Sequence, residues 1–299
     1  MVKDLLSTIR SKNLIILSLI FTCLEILLYK KDTTSQFDTS SFLPYIIVIL
    51  TAAGGYVIND LFDRKSDLLN KKRQPHFLSA QPLLYLYILL TLSTVILAYV
   101  FTSKTMQQVT LLSTLLLFLY SWKLQHFPLL GNLLIALLAG IVPLIVFIAH
   151  PEILPLLKDQ NIPSEKLIQY LFILLFAFFA FITTLTRELI KDMEDIDGDL
   201  LVNSKTFAII AGIRATKFIS LTLLTLIASM VILLIKNGLI VPFSLAVSLS
   251  MVLFLLLPIC AAGWYLYRAQ NKKHFNLVSK ILKGVFLGSV LVVLIYSFT

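Results

Sequence analysis

The chain has 299 residues, of which 58% are hydrophobic and 14% charged, whereas soluble domains carry about 25% charged residues. This composition excludes an ordinary water-soluble enzyme or binding module. The formal net charge is +9, but the basic residues are spread over the segments between apolar stretches. They do not follow one soluble face, so the charge does not indicate nucleic-acid binding.

Apolar segments of roughly membrane-spanning length follow one another along the chain. A hydrocarbon core about 30 Å thick needs about 20 apolar residues per helix. The sequence therefore predicts an all-α polytopic membrane protein, a bundle of about nine transmembrane helices around a central cavity, in a single domain over residues 1–299. The predicted helices cover residues 13–29, 42–60, 82–101, 107–122, 129–150, 167–190, 215–235, 238–266 and 278–298.

The first apolar segment is expected to be a retained helix, because no small-residue cleavage site follows it. Cys23 and Cys260 lie inside predicted helices, and we expect both to be free thiols that pack as small apolar residues. The His residues are scattered without ligand spacing, so none is assigned to a metal.

The basic residues predict the orientation in the membrane. Of 25 Lys and Arg residues, 19 fall in the N-terminal segment and in the loops after the second, fourth, sixth and eighth predicted helices. By the positive-inside rule this side faces the cytoplasm. We expect an integral protein of the cell inner membrane.

The acidic residues lie mainly in two clusters at helix ends. The first cluster ends the second predicted helix, and the second cluster ends the sixth. Both helices run toward the cytoplasm, so the clusters are expected together at the cytoplasmic face of the membrane. The clusters contain Asp60, Asp63 and Asp67 in the first, and Glu188, Asp192, Glu194, Asp195, Asp197 and Asp199 in the second.

The spacing of these acids points to a bound cation. If the helices continue, two sets of residues each share one helix face: Asn59, Asp63 and Asp67, and Glu188, Asp192, Asp195 and Asp199. Carboxylates stacked this way repel, and oxygen ligands select a hard ion such as Mg²⁺. Because Mg²⁺ usually takes one or two carboxylates plus phosphate oxygens, two facing clusters suggest a diphosphate between them. The alternative is that the acids are solvated loop residues.

Basic residues accompany the second cluster. Arg187 and Lys191 stand four residues apart on the last turns of the sixth helix. Two interpretations remain open: the two side chains contact phosphate, or they pair with neighbouring carboxylates. A third polar stretch, from Tyr120 to Asn132, links the fourth and fifth helices on the same face, and on its own it is typical of an interfacial loop.

Together these stretches resemble the motifs of the UbiA superfamily of intramembrane aromatic and lipid prenyltransferases. The first matches N-D-x-x-D-x-x-x-D at Asn59, Asp60, Asp63 and Asp67. The second matches K-D-x-x-D-x-x-G-D at Lys191, Asp192, Asp195, Gly198 and Asp199. The third resembles Y-S-x-x-L-K-x-x-P-x-x-G-N at Tyr120, Ser121, Leu124, Pro128, Gly131 and Asn132.

The resemblance implies a Mg²⁺-dependent enzyme that moves a polyprenyl group from an allylic polyprenyl diphosphate to a small aromatic or lipid acceptor and releases diphosphate. The similarity is slightly greater to the branch that uses geranylgeranylglyceryl phosphate. The implied metal-site and catalytic residues are Asn59, Asp63, Asp67, Asp195 and Asp199. The implied substrate-binding residues are Asp60, Asp192, Arg187, Lys191, Lys123, Arg73, Tyr120 and Asn132.

Two positions depart from the family pattern. Gln74 stands where an Arg is usual, with Arg73 one residue earlier, and Gln125 stands where a Lys is usual, with Lys123 two residues earlier. Our hypothesis is that Arg73 and Lys123 compensate in binding the diphosphate.

The alternative function is that of a membrane transporter or ion-coupled carrier, because acids inside a membrane mark ion paths. That function predicts acids near the bilayer midplane, and Glu25 is the one acid well inside an apolar segment.

Overall fold

The computed structural model describes residues 2–28, 41–64, 79–151, 153, 164–201, 204–237 and 243–299, and within these ranges it contains helices and no β-strand. The helices are α1 Val2–Thr8, α2 Ser11–Leu28, α3 Phe42–Phe62, α4 Ala80–Phe101, α5 Lys104–Trp122, α6 Leu130–Ile141, α7 Val146–Ala149, α8 Ser164–Leu201, α9 Phe207–Ile210, α10 Gly212–Asn237, α11 Leu245–Met251, α12 Leu257–Arg268 and α13 Lys272–Phe298.

Eight helical segments of the described ranges are long and apolar enough to cross a membrane: Ser11–Leu28, Phe42–Phe62, Ala80–Phe101, Leu130–Ala149, Lys166–Leu201, Gly212–Lys236, Leu245–Arg268 and Lys272–Phe298. The fourth predicted helix, residues 107–122, is not among these eight; it corresponds to α5, which is less apolar because Lys104, Gln107 and Gln108 occupy its first turns. The prediction of an all-α polytopic membrane protein is confirmed. The single domain over residues 1–299 stays a prediction.

Several helix boundaries differ from the predicted ones. α8 continues to Leu201 instead of ending near residue 190, and α13 begins at Lys272 instead of residue 278. The eighth predicted helix begins at Leu245 in the described part of the chain, and residues 238–242 lie outside that part. Hydropathy marks only the segment that lies in hydrocarbon, whereas a helix can extend into the polar interface as long as its backbone hydrogen bonds continue.

Prolines interrupt two of the spanning segments. Pro143 lies in a 3₁₀ turn, Val142–Ile145, that joins α6 to α7, and Pro258 follows a π-helical turn, Val252–Leu256, that joins α11 to α12. Proline lacks the backbone N–H and collides with the preceding turn, so the helical geometry changes at both places.

The spanning helices close into a ring. α3 packs on α4 and α5, α8 packs on α6, α10 and α13, and α13 also packs on α12 and returns to α2. The first and last spanning helices are therefore neighbours. α6 and α8 approach closely at Gly140, where a Cβ atom would lie 3.0 Å from Phe181 Cβ. A residue without a side chain permits this close approach.

Candidate active site

A cavity of about 690 Å³ lies inside the ring, between α2, α3, α5, α6, α8 and α13. Its polar end is formed by Asn59, Asp63, Gln125, Asp192, Asp195 and Asp199. Its apolar part is lined by Ile20, Val48, Met106, Val109, Leu138 and Ile145. The cavity therefore joins a charged pocket at the helix ends to a hydrophobic chamber among the helices.

Asp63 is oriented by two side-chain amides. The last turn of α3 places Asn59 so that its amide donates to one carboxylate oxygen of Asp63. Gln125, in the short helical turn after α5, donates from Nε2 to the other oxygen at 2.6 Å. Because amide donors carry no charge, they fix the carboxylate without neutralising it. The two amides thus hold the Asp63 carboxylate in a fixed position at the polar end of the cavity.

Asp60 faces away from this cluster. Its side chain is buried, with 6% of its surface exposed, and Arg10 Nη2 lies 3.4 Å from its Oδ1. Asp60 does not line the cavity. This position fits a supporting contribution rather than direct contact with a ligand.

The second acidic cluster lies on one face of α8. Glu188, Asp192, Asp195 and Asp199 all line the cavity, as their helical spacing predicts. Asn132, near the start of α6, donates from Nδ2 to Asp192 Oδ2 at 3.0 Å. The close approach of α6 to α8 permits this contact.

Arg187 and Lys191 both pair with the same carboxylate. Arg187 Nη1 lies 2.9 Å from Glu188 Oε1, and Lys191 Nζ lies 3.1 Å from Glu188 Oε2. The structure therefore contains the carboxylate pairing that was one of the two interpretations from sequence. Both basic side chains also line the cavity, so they face any anion bound there.

The oxygen donors at the polar end fit a Mg²⁺ ion whose coordination shell is completed by oxygens of a substrate. In the described part of the chain, no three His, Cys, Asp or Glu side chains converge as a metal site. Each acidic cluster instead offers separate carboxylate oxygens to one polar end of the cavity. Mg²⁺ needs only one or two carboxylates when phosphate oxygens and water complete its shell.

Other predicted residues have different positions. Tyr120 lines the cavity, whereas Lys123 does not, and the Lys123 ammonium lies 6.0 Å from the centre of the Phe127 ring. Asp67 and Arg73 lie outside the described residues, as does the predicted helical face that includes Asp67.

Sequence reasoning missed two basic residues of the cavity. Arg10, just before α2, and Lys283, in the middle of α13, both line it. In the sequence, Arg10 resembled the basic residues that the positive-inside rule places on the cytoplasmic side. Lys283 was detectable in principle, because a cation inside an apolar spanning helix is costly and usually has a function.

Glu25 lies apart from the cavity and its acids. It is buried, its Oε1 lies 2.8 Å from His150 Nε2, and the Tyr45 hydroxyl donates to the same oxygen. The one acid that favoured the transporter alternative is thus held in a local buried network.

Comparison with known proteins shows the family to which the chain belongs. The chain matches the UbiA prenyltransferase family over residues 18–295, and it belongs to that family of intramembrane prenyltransferases. It is 31% identical over 271 residues to digeranylgeranylglyceryl phosphate synthase of Methanobrevibacter smithii, with 88% of each chain covered. It is 28% identical over 259 residues to the synthase of the same name from Methanothermobacter thermautotrophicus, covering 84% of this chain and 82% of the relative.

The fold is also that of solved UbiA proteins. A structure of digeranylgeranylglyceryl phosphate synthase in membranes aligns with a TM-score of 0.67 and 21% identity, covering 99% of this chain and 98% of the other. A UbiA homologue from Archaeoglobus fulgidus, bound to DMAPP and Mg²⁺, aligns with a TM-score of 0.53 and 13% identity, covering 97% and 99%. The prediction of a UbiA-type prenyltransferase is confirmed by the family match.

Proposed function

We propose that this protein transfers a polyprenyl group from an allylic polyprenyl diphosphate to geranylgeranylglyceryl phosphate and depends on Mg²⁺. The observation that carries the proposal is the single cavity in which two acidic helix ends share a polar end and the remainder is apolar. We propose this acceptor because the relatives are digeranylgeranylglyceryl phosphate synthases, and one of them is 31% identical over 88% of this chain.

The polar end binds the diphosphate. Asn59, Asp63, Asp67, Asp195 and Asp199 would hold the metal ions, with Asp60 and Asp192 in support. Mg²⁺ bound there supplies positive charge that stabilises the diphosphate as a leaving group.

Basic side chains complete the binding of the diphosphate. Arg187 and Lys191, released from Glu188, would contact phosphate oxygens, and a contact between charged partners is the strong kind of hydrogen bond. Lys123 and Arg73 remain proposed as weaker contributors. Tyr120, on the cavity wall, and Asn132, behind Asp192, position the substrate.

The apolar part of the cavity holds the prenyl chain. The carbon–oxygen bond to diphosphate breaks with its electron pair, the acceptor hydroxyl oxygen bonds to the allylic carbon, and the hydroxyl proton is released. A chamber lined by apolar side chains keeps water from the allylic cation. The rings of Tyr56, Tyr120 and Phe286 line the cavity and can stabilise a cation through their faces.

The test is incubation of the purified protein with geranylgeranyl diphosphate and an acceptor panel, read by mass spectrometry. The panel contains geranylgeranylglyceryl phosphate, 4-hydroxybenzoate and a naphthoate. We expect the doubly prenylated glyceryl phosphate, formed with Mg²⁺ and not with EDTA. Transfer only to an aromatic acceptor would contradict the proposed acceptor, and transfer in EDTA would contradict the metal.

We also propose that the polar end faces the cytoplasm in the cell inner membrane. The positive-inside rule supports this orientation. In a Cys23→Ala, Cys260→Ala background, Lys205→Cys should react with an impermeant thiol reagent only from the cytoplasmic side. Lys104→Cys, at the start of α5, is the matched control and should react only from the other side. Both native side chains are exposed, and labelling of both positions from one side would refute this orientation.

A further inference from the structure

We propose that the seam between α2 and α13 is a second anion site, which binds the phosphate monoester of the acceptor without magnesium. The site consists of Arg10, Asn13 and Lys283, with Arg187 facing them from α8. The proposal rests on the proposed function, because it takes the acceptor to be a glyceryl phosphate.

Lys283 retains an unneutralised charge in this seam. Its ammonium donates to Asn13 Oδ1 at 2.9 Å, and the Asn13 amide reaches the Tyr56 hydroxyl at 3.5 Å. In the part of the chain that the structure describes, no carboxylate lies within ion-pair distance of Lys283. Among the described residues its hydrogen-bond partner is a neutral amide oxygen, which orients the ammonium and leaves its charge available.

The neighbours of Lys283 are also positive. The charges of Arg187, Lys12 and Arg10 lie close enough to repel the Lys283 ammonium. The Nε atoms of Arg10 and Arg187 are buried and have no hydrogen-bond partner among the described residues. Gathering like charges beside an apolar chamber and leaving buried donors unpaired both cost free energy. An anion bound between them removes both costs.

Lys283 and Tyr56 lie about two helical turns from the acids. Tyr56 precedes Asp63 by seven residues on α3, about 10 Å along a helix. Lys283 follows Asn276 by seven residues on α13, and the Asn276 amide donates to Glu194 at 2.8 Å. Arg10 links the two levels, because its guanidinium lies 4.8 Å from the centre of the Tyr56 ring and pairs with Asp60. An anion held at Lys283 lies beside the start of the prenyl chain, where the acceptor must approach.

The charge of the site suits a phosphate. Four cations gather at the seam, and two of the described carboxylates pair with them, which leaves two positive charges. A phosphate monoester carries about −1.5 to −2 at neutral pH, whereas an aromatic carboxylate carries a single negative charge. The cations are Arg10, Lys12, Arg187 and Lys283, and the carboxylates are Asp60 and Glu188.

The test measures binding of geranylgeranylglyceryl phosphate to the full chain in detergent with EDTA present. Wild type should bind it more tightly than the dephosphorylated glyceryl ether, because the site needs no metal. Lys283→Gln should weaken phosphate binding at least about tenfold and leave binding of the ether unchanged. Lys280→Gln, an exposed lysine on the same helix, is the matched control and should bind as wild type does. Lys283→Arg, which keeps the charge, should retain most of the affinity and shows that the position tolerates substitution.

Kinetics separate this site from the diphosphate site. With both substrates and Mg²⁺, Lys283→Gln should raise KM for the acceptor at least about tenfold and leave KM for geranylgeranyl diphosphate unchanged. A rise in KM for the diphosphate alone, or equal wild-type binding of the phosphate and the ether, overturns the second site. Lys283-dependent binding without prenyl transfer would support the second site and refute the proposed function.

Discussion

Asp63→Asn and Asp195→Asn should each abolish prenyl transfer while the protein stays folded in detergent. Each change removes one negative charge from the polar end of the cavity and preserves the shape of the side chain. Loss of one group that stabilises developing charge typically lowers kcat by about 10²–10³. We therefore expect at least about a hundredfold loss of kcat/KM, measured by product formation from geranylgeranyl diphosphate.

The matched control for these variants is Asp197→Asn. Asp197 belongs to the same acidic run on α8, but its side chain is exposed and does not line the cavity. Its replacement should leave the rate near that of wild type. Near-normal activity of both Asp63→Asn and Asp195→Asn would contradict the assignment of the two clusters to one reaction site.

Ala52→Trp should block the apolar part of the cavity. Ala52 lines the cavity on α3, eleven residues before Asp63, which is about 16 Å along the helix. An indole there occupies the space proposed for a long prenyl chain. Overpacking a filled cavity costs about 1–3 kcal/mol, so transfer from geranylgeranyl diphosphate should fall about tenfold to a hundredfold relative to transfer from dimethylallyl diphosphate.

Ile46→Trp is the control for this change. Ile46 lies on the same helix, and 47% of its surface is exposed, so an added ring points away from the cavity. It should leave the ratio between the two donors unchanged. Equal losses with both donors in Ala52→Trp would contradict the assignment of this chamber to the prenyl chain.

The spanning helices could be predicted from sequence because the thickness of the bilayer fixes their length and composition. The end of α8 could not be predicted in the same way. The predicted spanning segment stops at residue 190, yet the helix continues with Met193 buried and Asp192 and Asp195 turned to the cavity. In a helix that is only half buried, apolar residues recur at the helical period instead of forming a continuous stretch.

The acidic part of the site was also predictable, since residues four apart share a helix face. The contacts across helices were not. Asn13 and Lys283 meet because the ring closes between α2 and α13, and sequence spacing does not show which helices become neighbours. Gln125 was predicted to be a departure that affects diphosphate binding, and the structure places its amide against Asp63. That contact depends on the turn between α5 and α6.

The central claim is that both acidic clusters bind Mg²⁺ together with one diphosphate. The most direct test is titration calorimetry of Mg²⁺ binding with and without a non-hydrolysable prenyl diphosphate analogue. Because substrate oxygens complete the metal shell, we predict much tighter binding with the analogue, and loss of this gain in both Asp63→Asn and Asp195→Asn. Equal Mg²⁺ affinity with and without the analogue, or a gain that survives in either variant, would contradict a shared site.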